Sequence, residues 1–326
     1  MQDTLKIKGI HHITAIAGSA AGNLAFYTQV LGLRLVKKTV NFDDPYTYHL
    51  YYGDAAGTPG TILTFFPWEH LPQGRPGPGM VTAMAFAIAK EAVDFWLNRL
   101  RDYKVEVQRS ERFGEPVVRL NDPDGLGLEL IGIPGPVATS AWESGPVPAA
   151  EAIKGFHSAT QVVRNIDHTQ ALLAETMGMR PEGVEGKRHR FRMSQGLSPG
   201  GLYDLVVDAG AAGGLQGAGS VHHIAFRTPS DAAQAAWQSL LRQKGLHVTP
   251  IRDRAYFRSI YFHEPGGVLF EIATEAPGFA IDERPEHLGR ALKLPPQYEL
   301  MRGEIERHLK PLDASGPADR PMAVHP

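Results

Sequence analysis

Cysteine is absent from the 326 residues, which removes disulfides, thiolate metal sites and a cysteine nucleophile together. Any metal must therefore sit on imidazole and oxygen ligands, and the 14 histidines become the residues to follow. An excess of one charge is missing too: 33 basic and 35 acidic residues leave a net charge of -2. That balance offers no broad attraction for nucleic acid or an anionic membrane, and a small neutral or weakly acidic partner suits it better. No apolar run approaches the roughly 20 residues that span a bilayer. The start, MQDTLKIKGIHHIT, passes into a strand-like pattern with no basic stretch leading into an apolar one, so no secretory signal is visible and a cytoplasmic protein is expected. Residues 313–326 mix Asp, Ser, Gly, Pro and Ala with few large apolar side chains, which predicts a poorly ordered tail.

What is present is a divergent fourfold repeat. Four segments open alike: Lys8 to Thr14, Met80 to Phe86, Lys154 to Thr160 and Ser220 to Phe226. Each is followed by apolar residues at helical spacing, over Ala21 to Leu31, Lys90 to Leu100, Asp167 to Met177 and Ser230 to Lys244. Each unit then closes on strands bounded by turn residues, as in Val117 to Asn121 with Gly127 to Ile131, and Ser259 to His263 with Gly267 to Thr274. Asp122-Pro123-Asp124-Gly125 and Glu264-Pro265-Gly266-Gly267 put Pro and Gly where β-turns favour them, at the same place in units two and four. The pattern predicts an α+β chain of four βαβββ modules. Modules one and two occupy 1–135, a Pro- and Gly-rich linker 136–150, and modules three and four 151–276; 277–326 adds a helix near Tyr298 to Leu309 and the tail.

The repeat allows each residue to be judged against its counterparts. At the first-strand position the units carry His12, Ala83, Ser158 and His223; at the last-strand position they carry Thr64, Glu129, Asp204 and Glu271, with a one-residue gap needed in unit three. If units one and four face each other, His12, His223 and Glu271 become available as ligands, with Thr64 in the fourth place. Two imidazoles and one carboxylate make a facial triad with open positions, suited to non-haem Fe(II). Units two and three offer no imidazole at those positions, so one metal site is expected, and Glu129 and Asp204 read as structural or solvent-facing. Strand alternation predicts that only one histidine of each pair reaches the metal, leaving His11 and His222 to support it or to pack. An isolated strand histidine is ordinarily a packed or surface residue; two pairs at matching repeat positions, with a carboxylate in the matching late strand, favour the metal.

These residues resemble the vicinal oxygen chelate superfamily (glyoxalase, bleomycin resistance protein, extradiol dioxygenase), and within it the hydroquinone-type ring-cleaving dioxygenases. The resemblance runs from about Ile7 to Leu300. It is carried by Gly9-Ile10-His11-His12-Ile13-Thr14, Phe26-Tyr27-Thr28-Gln29-Val30-Leu31-Gly32-Leu33, Lys37 to Pro45, Phe65-Phe66-Pro67-Trp68 and Glu264 to Glu271, in that order. It implies two open, cupped mixed β-barrels with helices outside, and Fe(II) on His12, His223 and Glu271, with Mn(II) or Zn(II) as substitutes. It also implies functional residues around the metal at His11, Thr14, His222, Arg254 and Tyr261. Tyr261 or His222 is expected to hydrogen-bond a phenolic oxygen, and a histidine or Arg254 to stabilise negative charge as O2 is reduced. The expected partners are a small hydroquinone-like or catechol-like aromatic and O2, and Phe42, Tyr51, Trp68 and Phe257 are candidates to wall the ring in, with core packing the alternative. Two other readings stay open at this point: a glyoxalase-like lyase or isomerase, which would favour a fourth protein ligand where Thr64 stands, and a non-catalytic aromatic-binding resistance protein. A homo-oligomer exchanging modules between two chains would bring the same ligands together.

Overall fold

The computed structural model describes residues 5–135, 140–193 and 199–312. The tail expected at 313–326 lies outside the described residues, as does part of the linker, 136–139. Module one runs β1 (Ile10–Ala17), α1 (Ala20–Ala25), β2 (Arg34–Asn41), β3 (Asp44–Gly53) and β4 (Ile62–Pro67). Module two runs β5 (Met80–Ala89), α2 (Val93–Asp102), β6 (Gln108–Arg112), β7 (Glu115–Asn121) and β8 (Gly127–Ile133). In module three come β9 (Phe156–Val163), α3 (Asp167–Ala171), β10 (Arg180–Glu185), β11 (Arg188–Arg192) and β12 (Leu202–Val207). Module four has β13 (Ser220–Thr228), α4 (Asp231–Gln243), β14 (Arg252–Asp253), β15 (Arg258–His263) and β16 (Leu269–Thr274), and α5 (Arg302–His308) follows. The predicted βαβββ order holds in all four.

Two eight-stranded mixed sheets form among the described residues, in the orders β14-β15-β16-β13-β1-β4-β3-β2 and β10-β11-β12-β9-β5-β8-β7-β6. Modules one and four thus join within a single chain through the antiparallel β1–β13 pair, and modules two and three through β5–β9. Each sheet takes one module from 1–135 and one from 151–276, so both sheets cross the linker between the halves. The central strands are buried on both faces, one against the helices and one inside the cup; β1 is buried at all eight positions. Trp96 and Trp237, from α2 and α4, are the largest of the side chains sealed into the core.

The helices of modules one and three depart from the regular pattern predicted for Ala21 to Leu31 and Asp167 to Met177. Both widen into a π turn, over Phe26–Val30 and Leu172–Thr176, closed by Leu31 N–H on Phe26 C=O at 3.1 Å and Met177 N–H on Leu172 C=O at 2.9 Å. Each stops at a glycine with positive φ, Gly32 at 68° and Gly178 at 73°, a conformation that costs any side chain energy. The helix expected near Tyr298 to Leu309 begins as a 3-10 turn, Pro296–Met301, and continues as α5.

The segment after module four is strapped to the β2–β3 hairpin. Lys37, wholly buried, places Nζ 2.5 Å from both Asp282 and Glu283, and the Tyr298 hydroxyl donates to the Phe42 carbonyl at 2.9 Å. A lysine sealed from water without such partners would be costly. The strap fixes the tip of a hairpin that forms one rim of the first cup.

Candidate metal centre

The repeat register inside both sheets is regular. Thr64 pairs with Thr14, Glu129 with Ala85, Asp204 with Thr160 and Glu271 with Ala225, each two residues beyond the first-strand position of its module. The one-residue gap in module three is therefore correct. In the cup of modules one and four this register gathers His12, His223 and Glu271, with one ligand atom from each lying within 4.8 Å of the others.

Strand alternation does not describe the histidine pairs. Between β1 and β13 the register shifts by one residue at His11 and again at His222; the second sheet shifts equivalently at Thr82 and His157. A bulge thus precedes the ligand position in every module, and it swings the extra residue off the pleat. As a result His11 does not point away: its Nδ1 lies 2.9 Å from Nδ1 of His12, and His222 Nδ1 lies 2.8 Å from Nδ1 of His223. Burial, reinforced by the neighbouring His12, holds His11 down at about 3, and burial with His223 does the same for His222. Both are neutral at ordinary pH. The arrangement in which His12 and His223 donate from Nδ1–H to these neutral neighbours leaves the Nε2 lone pairs of His12 and His223 aimed at Glu271.

Glu271 is fully buried on β16. Ser259, two residues before Tyr261 on β15, donates its hydroxyl to Oε1. Oε2 has no aligned donor, although His12 Nε2 and His223 Nε2 approach it to 3.3 and 3.0 Å. Burial pushes this carboxyl up; only with protons on Nε2 do His12 and His223 outweigh it and hold it well below the usual range, a role that a bound cation takes over. Two imidazole lone pairs and a carboxylate oxygen converging without an aligned proton between them form a donor set complementary to a cation. The residues present fit a divalent metal.

Beside them lies a cavity of about 490 Å³ whose wall includes His12, His223, His222, Arg254 and Tyr261; His11, Thr14 and Glu271 lie outside that wall. Phe42, Tyr51, Trp68 and Phe257 all line it. Arg254 Nε donates to the Tyr261 hydroxyl at 3.2 Å, and its Nη2 reaches Asp43 at 3.1 Å across the rim. Burial disfavours the guanidinium charge, but Tyr261 and Asp43 outweigh it and Arg254 stays a cation. Burial and Glu271 push the Tyr261 phenol up, so it keeps its proton. Thr14 serves the site from behind: Thr64 Oγ1 donates to it at 2.9 Å and also meets His49 Nε2 at 2.8 Å.

The second cup carries no such set among the described residues. Ala83 and Ser158 replace the imidazoles, and the carboxylates there are buried rather than solvent-facing. Arg112 binds Glu129 in a fork at 2.6 and 2.7 Å, while Arg188 and Arg190 hold Asp204. Arginine there occupies the role a cation would take in the other cup. Sequence reasoning missed Ser259, His49 and these arginines. Ser259 was within reach, since alternation from Tyr261 puts it on the same face of β15 as a partner for Glu271.

A profile of the "Glyoxalase/Bleomycin resistance protein/Dioxygenase superfamily" matches residues 9–130 and 155–272. The chain belongs to this superfamily. Within it, the Bacillus subtilis protein named "Putative ring-cleaving dioxygenase MhqO" is 47% identical over 308 residues, covering 94% of this chain and 97% of the relative. The "Chlorohydroquinone/hydroquinone 1,2-dioxygenase" of Sphingobium indicum is 35% identical over 316 residues, covering 94% and 97%. A crystal structure titled as a putative dioxygenase from Bacillus subtilis superposes with a TM-score of 0.91 at 47% identity, covering 95% of this chain and 98% of that one. Open, cupped mixed sheets with outer helices are the architecture of the superfamily, and this chain shares it. No helix among the described residues is long and apolar enough to cross a membrane.

Proposed function

We propose that this chain is a ring-cleaving dioxygenase for hydroquinone-like aromatics, with Fe(II) held by His12, His223 and Glu271. The observation that carries the reading is a cation-complementary triad with no fourth protein ligand among the described residues, opening on a cavity walled by aromatic rings. Thr64, in the fourth position, has its hydroxyl engaged by Thr14 and His49, which disfavours the four-ligand lyase or isomerase reading. The names of the relatives support the same reaction class.

A divalent iron bound there supplies a Lewis acid that lowers the pKa of a substrate hydroxyl and a meeting place for O2 and the ring. The protein's part is orientation and proton placement. Neutral His11 and His222 accept from Nδ1–H of His12 and His223 and so keep their Nε2 lone pairs facing inward. Ser259 fixes one carboxylate oxygen of Glu271 and leaves the other for the metal. Tyr261 accepts from Arg254 and retains its own proton to donate to a substrate oxygen, while the Arg254 cation faces negative charge developing in the cavity. His222, with Nδ1 spent on His223, carries its proton at Nε2, flanked by Phe66 and Trp68. These rings exclude water from the face of the substrate.

The test is metal analysis of the purified protein combined with oxygen-electrode assays of hydroquinones and catechols. Stoichiometric iron and oxygen uptake matched to ring opening are expected. Turnover without oxygen uptake would instead establish the lyase or isomerase reading, and an absence of retained metal the binding-protein reading.

A further inference from the structure

We infer that Asp43 is a charge filter at the mouth of the cavity: by pairing with Arg254 it admits aromatic substrates whose ring substituents are uncharged and turns away those bearing a carboxylate. This deepens the dioxygenase reading and rests on it. Asn41 pairs with Asp44 across the β2–β3 hairpin, which leaves Phe42 and Asp43 as the two residues of its turn. The turn is tied on both sides, since Asp43 N–H donates to Asn41 Oδ1 at 2.9 Å and the Phe42 carbonyl accepts from Tyr298 at 2.9 Å. From it Asp43 reaches Arg254 Nη2 at 3.1 Å and so joins module one to module four across the rim. The same guanidinium lies 5.8 Å from the centre of the Phe42 ring and 5.5 Å from that of Tyr261.

The second cup supplies the comparison. There Arg112 pairs with Glu115 in the same way, so Phe113-Gly114 is the counterpart of Phe42-Asp43. The phenylalanine is kept, but glycine stands where the carboxylate would be, although a Cβ at Gly114 would meet nothing within 4 Å. Phe113 packs against Arg190 at 4.1 Å, and Arg190, at the strand register of Tyr261, already holds Asp204 and Glu115. The acid at the turn therefore goes with the metal cup and not with the fold. Stability does not account for it either, because the Asp43 side chain is 68% exposed and ion pairs so open to water contribute little.

Charge accounting at the rim gives the pair its consequence. Asp44 accepts from the Thr47 hydroxyl at 2.5 Å and Asp253 from Ala255 N–H at 2.8 Å, so both are engaged within their own turns. Arg252 also lines the cavity, but from the exposed edge strand β14, where water and salt screen its charge. Arg254, with its side chain only 18% exposed, is the cation that a ring carboxylate would seek. With Asp43 already on it, the incoming anion meets a like charge at the same group. An uncharged substituent meets no such repulsion, and Arg254 stays beside Tyr261.

The experiment is anaerobic equilibrium binding of 2,5-dihydroxyphenylacetamide and 2,5-dihydroxyphenylacetate to the iron-loaded full chain at pH 7, where turnover cannot occur and the second ligand is ionised. The two differ in charge with little change of shape. Wild type should bind the amide about tenfold more tightly, the order expected for one like-charge contact at a partly screened rim. Asp43→Asn should tighten the carboxylate in absolute terms and bring the two ligands within about twofold of each other, a gain that damage to the fold would not produce. Asp43→Glu should keep the wild-type preference, and adding Arg254→Met to Asp43→Asn should abolish the gain. Asp44→Asn removes the same charge from the same rim without touching Arg254 and should move the preference less. If wild type does not discriminate, if Asp43→Asn fails to tighten the carboxylate, or if Asp44→Asn acts as strongly, the filter is overturned while hydroquinone-driven oxygen uptake in air still supports the dioxygenase. If hydroquinone neither binds nor drives oxygen uptake, both readings fall together.

Discussion

Replacing Glu271 by Gln gives effects of opposite sign in the metal-free and metal-loaded protein, because the carboxylate that completes the triad is poorly satisfied without a cation. Its Oε2 is buried with no aligned donor, whereas Oε1 keeps the Ser259 hydroxyl. An unsatisfied buried acceptor costs about 1–3 kcal/mol, more when charged. The amide removes the charge and can still accept from Ser259, so the metal-free variant should match or exceed wild type by up to about 2 kcal/mol. Metal binding reverses the order. At a free metal concentration about 1,000 times Kd, wild type gains about 4 kcal/mol. A hundredfold loss of affinity in the variant leaves about 1.4 kcal/mol of that gain. With roughly 2 °C per kcal/mol for a chain of this size, the metal-induced rise in Tm should shrink from about 8 °C to about 3 °C. Thermal melts of chelator-treated and Mn(II)- or Fe(II)-loaded protein measure both quantities. An undiminished metal shift in Glu271→Gln would refute the ligand assignment. A metal-free variant that melts several degrees below wild type would show the carboxylate to be structural.

Other perturbations separate support from ligation. Ser259→Ala should reduce metal affinity about 10- to 100-fold by releasing the Glu271 carboxylate, with little change in the metal-free melt, read by competitive metal titration. In the second cup, Asp204→Ala leaves Arg188 and Arg190 without their buried partner and should cost about 3–5 kcal/mol in denaturant unfolding while metal content stays constant. Glu129 is held below the usual carboxylate range: burial opposes its charge, but the hydrogen bonds and charge of Arg112 outweigh it. A depressed folded pKa means stabilisation that is complete above the unfolded value of about 4.3 and lost as pH falls through the folded value. Glu129→Gln should therefore flatten the acid limb of the stability profile and leave the slope above pH 5 unchanged, measured by urea unfolding across pH 2.5–7.

How much of this was legible from sequence depended on whether the signal was local. His12 and His223 could be matched because each opens a repeat, and Glu271 because each repeat closes on a strand with a residue at the same register. Its position within an apolar run also marked it, since a buried carboxylate needs a partner. His11 and His222 were read as supporting the metal or packing, and alternation could not show the contacts that decide between the two. The bulges that bring them to Nδ1 of their neighbours exist only in the pairing of β1 with β13, about 200 residues apart.

The repeated βαβββ order, the absence of thiolate chemistry and the three side chains of the candidate metal centre were determined by the sequence alone, because periodicity and residue chemistry are properties of short stretches. Only the tertiary structure decided which modules share a sheet, which oxygen of Glu271 is left without a donor, and that Thr64 is engaged by His49 and Thr14. Those outcomes depend on cross-strand register and on the closure of each cup. A shift of one residue in either reassigns every hydrogen bond at the site without altering a single residue type.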